Sequence, residues 1–228
     1  NENKVNSELP PSQKANAPVE NVPATCEKTK ALNNDSGHHI VVAVEPDFSH
    51  LMIDLETMGK SAVAPIVSIG AVFFDPETGQ MGAEFYQAVS LESSMSFGAV
   101  ADASTILWWL KQPSEARAAI ASNDALGLLE TLELLSDFIL ENSAYGGAGI
   151  QLWGNGSSFD NVILRSAFKM TDTPFSVPSW NDRDVRTLVE IGRSQGVNPK
   201  YDIPFEGDQH HALSDAKHQV KYVSAIWQ

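Results

Sequence analysis

The chain has 228 residues, 43% of them hydrophobic, which is enough for one sizeable core and too few for two full domains. Its formal net charge is −14, with 29 acidic residues against 15 Lys and Arg, and this argues against a protein that coats nucleic acid through a broad basic surface. A single cysteine, Cys26, excludes an internal disulfide, and no apolar run reaches the ~20 residues that span a bilayer, so a protein of a reducing, cytoplasmic compartment with no membrane partner is expected.

Residues 1–47 differ in composition from the rest. They are rich in Asn, Pro, Lys, Glu and Ser and read as a flexible tail or linker. Within them HIVVAV, His39–Val44, has strand-like composition and is read as the apolar end of that linker. No apolar h-region of a secretory signal is present, and the first residue is Asn rather than Met, so the chain is read as a processed form or a piece of something longer. The folded domain is expected over residues 48–228.

Its first element is HLMIDLETMG, His50–Gly59. Leu51, Ile53 and Leu55 alternate with Met52, Asp54 and Glu56, the period of two that marks a strand with one apolar face. The other face carries Asp54 and Glu56 side by side. Like charges on one face repel, and burial adds to the cost. A fold keeps such a pair where a cation sits between them. With no Lys or Arg in the strand, hard divalent ions such as Mg²⁺ or Mn²⁺, which take oxygen ligands, suit the pair. A solvent-facing edge strand is the plain alternative.

Ile66–Asp75, β-branched and aromatic, is the strongest strand signal; the turn Pro76–Gly79 leads to a strand over Glu84–Ser90. So short a loop makes an antiparallel hairpin, with the first strand beside it. Helices follow over Thr105–Lys111, capped by Asp102 or Ser104, and over Ser114–Ser122. A longer helix is expected over Asp124–Glu141, where Leu128, Leu129, Leu132, Leu135, Phe138 and Ile139 mark one buried face. Gly149–Gly154 reads as a buried strand, and Phe159–Met170, Asp184–Arg193 and His210–Trp227 as helices. The layout is mixed α/β, with helices on both faces of one sheet.

Carboxylates stand at element boundaries in three distant segments: Asp54 and Glu56 on the first strand, Asp160 in NGSSFDNVIL where a loop becomes a helix, and Asp215 in HHALSDAKH early in the last helix. Taken singly, Asp160 is equally a helix cap, Asp215 a solvated helix position, and His210 and His211 surface residues. Their joint order is more specific: D-x-E, then N-x-x-x-F-D, then H-x-x-x-x-D.

Asp54–Thr57, Asn155–Asp160 and His210–Asp215 together resemble the three motifs of the DEDDh 3′→5′ exonucleases. That superfamily includes the proofreading subunit of a bacterial replicase and RNase T. IDLETMG, APIVSIGAVFFDPETG and NDRDVRTL are most similar to RNase T-like domains, some of them in prophage proteins labelled exodeoxyribonuclease VIII. The resemblance runs from Ser49 to the C-terminus. It implies an RNase H-like α/β fold, a mixed central sheet with its first three strands antiparallel, flanked by helices. It implies two divalent metal ions, Mg²⁺ or Mn²⁺, held by Asp54, Glu56, Asp160 and Asp215, a set that fits the need to neutralise charge on attacking and leaving oxygens. Asp54 would bridge the ions, Glu56 and Asp215 complete the water-activating side, and Asp160 hold the second ion.

The same resemblance makes His210 the general base, since the family pattern leaves four residues between this His and the last Asp; a neutral imidazole suits the task near pH 7. Five residues turn a helix about 140° past a full turn, so His210 should lie on the segment entering the helix that carries Asp215. Ala212, Ala216 and Val220 would let that helix approach the sheet. Thr57 and Met58 would border the terminal nucleotide, although Met58 equally suits a core. Of Trp108 and Trp109, one should face the core and the other, with Trp108 the candidate, could stack on a base. Ser157 and Ser158 could donate to a phosphate, and Arg165, Arg183 and Arg186 could contact one or form helix-face salt bridges.

The expected activity is metal-dependent 3′→5′ hydrolysis at single-stranded or short DNA or RNA 3′ ends, releasing nucleoside 5′-monophosphates. An RNA-trimming enzyme of the same fold and a catalytically idle end-binding module are the alternatives. A phosphatase or transferase on an unrelated α/β fold lacks its expected phosphate loop, as no GxxxxGK is present. RNase T-like relatives often pair, so the resemblance also brings a homodimer.

Overall fold

The computed structural model describes residues 29–33, 39–43 and 48–228. The first two stretches are strands, β1 (Thr29–Asn33) and β2 (His39–Ala43), paired antiparallel in a sheet of their own. HIVVA is thus a paired strand rather than a linker end, in keeping with its β-branched composition. The expected tail otherwise falls outside the described residues.

The main sheet has five strands, β3 (His50–Thr57), β4 (Ile66–Phe74), β5 (Met81–Ala88), β6 (Gln151–Gly154) and β7 (Asp182–Asp184), in the order β5-β4-β3-β6-β7. β4 is antiparallel to both of its neighbours, β3 and β5, whereas β6 runs parallel to β3 and β7 parallel to β6. The helices are α1 (Leu91–Ser96), α2 (Ala103–Trp109), α3 (Ser114–Ile120), α4 (Leu128–Asn142), α5 (Asp160–Met170), α6 (Val185–Ser194), α7 (Pro199–Asp202) and α8 (Ala212–Trp227). This is the mixed, helix-flanked α/β sheet expected.

Strand alternation divides the core. Leu51, Ile53 and Leu55 join Phe73, Leu132, Leu135, Ile163 and Leu164 in a cluster with α4 and α5. Met52 points the other way, into a cluster with Val185, Ala216, Val220 and Val223 from α6 and α8. β4 is buried along its whole length because both of its faces are covered. Asp54 and Glu56, in phase with Met52, therefore stand on the α8 face.

That helix approaches closely for a reason visible at Gly70. Gly70 pairs with Asp54 across β3 and β4, and any Cβ there would fall inside the backbone of Ala212 and Leu213. Ala212, Ala216 and Val220 are fully buried behind it. Gly70 and these residues together bring the first turn of α8 onto the strand that faces the acidic pair.

Several boundaries differ from the sequence expectation. α4 begins at Leu128, not Asp124, because Gly127 is extended (φ −64°, ψ 151°) and Leu126 hydrogen-bonds to Ala88 at the end of β5 and to Ser90 just past it. α1 was not anticipated; Ser90 caps it by accepting from the Ser93 N–H at 3.2 Å. β7 and α7 are too short to leave a periodic signal. Among the described residues, no helix is long and apolar enough to cross a membrane.

Candidate active site

The sheet opens where β6 stops pairing with β3. Their register covers only His50–Met52 of β3, so the Leu55 N–H has no strand partner on that side. Asp160, the first residue of α5, fills the gap: its Oδ1 accepts from Leu55 N at 3.2 Å and its Oδ2 from Asn155 N at 3.1 Å. α5 can start this close to the sheet because β6 ends in glycine. A Cβ on Gly154 would collide with Asn161 and press on Asp160. Asn161, fully buried, ties the same turn to β6 by donating to the Leu152 carbonyl at 3.1 Å.

Across this opening, Asp54, Glu56 and Asp215 each offer a carboxylate oxygen, and these lie within 4.8 Å of one another. Among the described residues none of them, nor Asp160, forms a salt bridge with Lys or Arg. The electrostatic result is large. Burial, then the charges of Asp160, Glu56 and Asp215, pushes Asp54 well above the ordinary carboxylate range. Glu56 is raised to about 8 by burial and then by Asp215 and Asp160. Asp160 is raised to about 7 by burial, against the hydrogen bonds from Leu55, its own N–H and Asn155. Asp215 is raised by burial, opposed by the charge of His210 and by backbone N–H groups. Its Oδ2 is buried with no hydrogen-bond partner.

Crowded carboxylates with an orphaned oxygen and no Lys or Arg salt bridge among the described residues form a donor set that fits a hard divalent cation. Asp54, Glu56 and Asp215 are the residues placed to hold one directly. Asp160 stands on the same wall but has both oxygens engaged by backbone N–H groups.

The two histidines part company. His210 precedes α8 with a left-handed backbone (φ 62°) and lies edge-on to Trp108 with ring centroids 5.0 Å apart. His211, the residue that caps α8, stacks instead on Tyr86 at 4.1 Å. Only His210 of the two lines the acidic bay, a space of about 420 Å³ walled also by Asp54, Glu56, Asp160, Asp215 and Arg186. Arg186 donates to the Asn155 carbonyl at 3.0 Å.

A second, less polar bay of about 440 Å³ adjoins the first and includes Thr57, Lys60, Thr105 and Trp109. Leu55, Glu56, Trp108 and Phe159 line both. The tryptophan pair divides as adjacent helical residues must: Trp108 is 42% exposed, and Trp109 is 3% exposed with its Nε1 donating to the Thr57 carbonyl at 3.0 Å. Thr57 is buried at the edge of the bay, its hydroxyl donating to the Gly59 carbonyl at 2.8 Å.

Other sequence candidates lie elsewhere. Met58 is 8% exposed and packs with Val67, Trp109 and Ala116, so its side chain belongs to a core cluster and not to the cleft wall. Ser157 is bound to Asp184, whose Oδ2 accepts from its N–H at 2.7 Å and its hydroxyl at 3.1 Å. Ser158 is exposed on the loop. Arg165 forms a two-pronged pair with Asp182, and Arg183 donates to the Trp180 and Asp182 carbonyls. Phe159 and Gln219 were not singled out from sequence. Phe159 sits inside the second motif and could have been found there. Gln219 follows Asp215 by one helical turn, and only that spacing hinted at it.

The fold and the acidic cleft can be set against known proteins. The model of a family described as "3'-5' exoribonuclease Rv2179c-like domain" matches residues 49–227. The chain belongs to that family. Its enzyme class is accordingly that of a 3′–5′ exonuclease, a hydrolase of phosphodiester bonds. An exodeoxyribonuclease of Enterobacteria phage T4 is 28% identical, over 61% of this chain and 70% of the phage protein. Among solved structures, the nuclease domain of 3′hExo, a DEDDh family member bound to rAMP, shares the fold with a TM-score of 0.54 at 14% identity, covering 78% of this chain and 90% of that one. E. coli exonuclease I in a complex with single-stranded DNA does so with a TM-score of 0.53 at 14% identity; the match spans 77% of this chain and 40% of exonuclease I. These likenesses show an RNase H-like exonuclease fold.

Proposed function

We propose that residues 48–228 form a catalytic domain that removes nucleotides one at a time from single-stranded or short 3′ ends and releases nucleoside 5′-monophosphates. Residues 1–47 would serve as its tail or linker. The reading holds that Asp54, Glu56, Asp160 and Asp215 bind two divalent cations, Mg²⁺ or Mn²⁺, and that His210 is the general base. The observation that carries it is the convergence of four carboxylates beside a histidine, none of them in a salt bridge among the described residues, at the point where the sheet opens.

Bound there, the cations would neutralise charge on the reacting phosphate oxygens. The chain's own groups do the rest. His210, braced edge-on by Trp108, takes a proton from the attacking water onto its imidazole. Arg186 puts a guanidinium on the bay wall within reach of a phosphate. Thr57, Trp108 and Phe159 border the less polar bay, where a terminal base can stack. Met58 and Ser157 would contribute indirectly, Met58 by backing Trp109 and Ser157 by anchoring the loop before Asp160 through Asp184, while Ser158, exposed on that loop, would donate to a phosphate.

RNA trimming is the second reading, favoured by the description of the matching family; the phage relative is named for DNA. Digestion of end-labelled single-stranded DNA and RNA with Mg²⁺, Mn²⁺ or EDTA, using wild type and Asp54→Ala, tests both. Stepwise shortening should require a cation and Asp54; cleavage that persists in EDTA would sink the proposal. Light scattering on the purified chain tests the homodimer.

A further inference from the structure

On α8, Gln219 lies four residues after Asp215, so both side chains share one helical face. Its Nε2 donates to Asp54 Oδ1 at 2.6 Å, a bond that ties the last helix to the first strand of the main sheet. Ionised, as a cation ligand must be, Asp54 can only accept, and the amide presents its nitrogen there. Gln219 is 3% exposed, and its Oε1 is left buried with no partner. An amide with an orphaned buried oxygen is a poor packing residue, where a Met or Leu would bury similar volume without that penalty.

We infer that Gln219 is a positioning residue for the cation site, orienting the Asp54 carboxylate through a neutral donor. The neutrality matters. A Lys or Arg in its place would compensate the charge of Asp54 and compete with a cation, whereas an amide fixes one oxygen and leaves the full charge available. One helix then supplies a ligand, Asp215, and the hydrogen bond that aims another, Asp54. This rests on the reading that Asp54 holds a cation.

The test is Mn²⁺ binding, followed by the electron paramagnetic resonance signal of free Mn²⁺, on wild type and Gln219→Met, with thermal melts in EDTA as a control for folding. Gln219→Met should fold as wild type does and bind Mn²⁺ about tenfold or more weakly. In turnover assays its half-saturating Mn²⁺ concentration should rise by a similar factor, with most of kcat regained at saturation. Should Gln219→Met fail to fold, Gln219→Ala carries the same comparison. Wild-type affinity in a folded variant overturns the inference. Absence of Mn²⁺ binding by wild type overturns the cation reading itself, a separate and recognisable outcome.

Discussion

The two bays of the cleft share Leu55, Glu56, Trp108 and Phe159 but are built on opposite principles. The acidic bay collects residues from β3, the start of α5, α6 and the entry to α8, and crowds carboxylates until they no longer titrate as ordinary acids. The less polar bay comes mostly from two stretches, the end of β3 with the turn after it and α2, and its walls include two indoles, a phenyl ring and two threonines. One bay is costly to fold, and on the proposed reading it serves only with a cation; the other is cheap surface burial. On that reading chemistry is concentrated in the first bay and substrate grip in the second, with Trp108 and Phe159 shared between them.

The hardest blow to the acidic bay is Asp54→Ala. Turnover should fall by on the order of 10³-fold or more with the fold intact by circular dichroism, and EDTA should remove no further activity from this variant. Next is His210→Ala, expected to slow kcat by roughly 10²–10⁴-fold, against a far smaller effect of His211→Ala. The reverse order would reassign the base to the ring stacked on Tyr86.

The less polar bay should answer differently. Trp108→Ala should raise KM by roughly tenfold, as loss of about 1–3 kcal/mol of base stacking requires, and should lower kcat by a smaller factor than His210→Ala does, because His210 loses its edge-on neighbour. Trp109→Ala should instead cost about 3–5 kcal/mol of stability, read by chemical denaturation, because it empties a core site and frees the Thr57 carbonyl.

The smallest expected effect is on pH dependence in EDTA. Glu56 is raised from its usual range to about 8, so the folded state holds a proton that the unfolded state has released over that interval. Stability should therefore decline as pH rises from about 5 to 8. Saturating Mn²⁺ should flatten the decline, and Glu56→Gln should reduce it; melts at stepped pH would show both. A cation-free protein whose stability rises across that window would mean that the carboxylates are already compensated.

Much of this was legible before the fold was known. Alternation along His50–Thr57 put Asp54 and Glu56 on one face, and the motif order tied them to Asp160, His210 and Asp215. The start of α4 was misplaced at Asp124, because tertiary pairing with Ala88 and Ser90 held Leu126 in a bridge beside the end of β5 and kept the helix from starting before Leu128. Met58 was ambiguous in sequence, since a methionine beside a metal pair suits a wedge or a core equally; packing against Trp109 decided it.

By itself the sequence determined the strand and helix periods, the acidic residues and their order, because those depend on neighbours within a turn or two. Only the tertiary structure decided that Asp160 would cap the open edge of β3, that His210 and His211 would turn to different rings, that Gly70 would admit α8 to the sheet, and that Gln219 would reach Asp54. Each of these is a contact across distant parts of the chain, set by how closely packed surfaces can approach, and no local pattern records that distance.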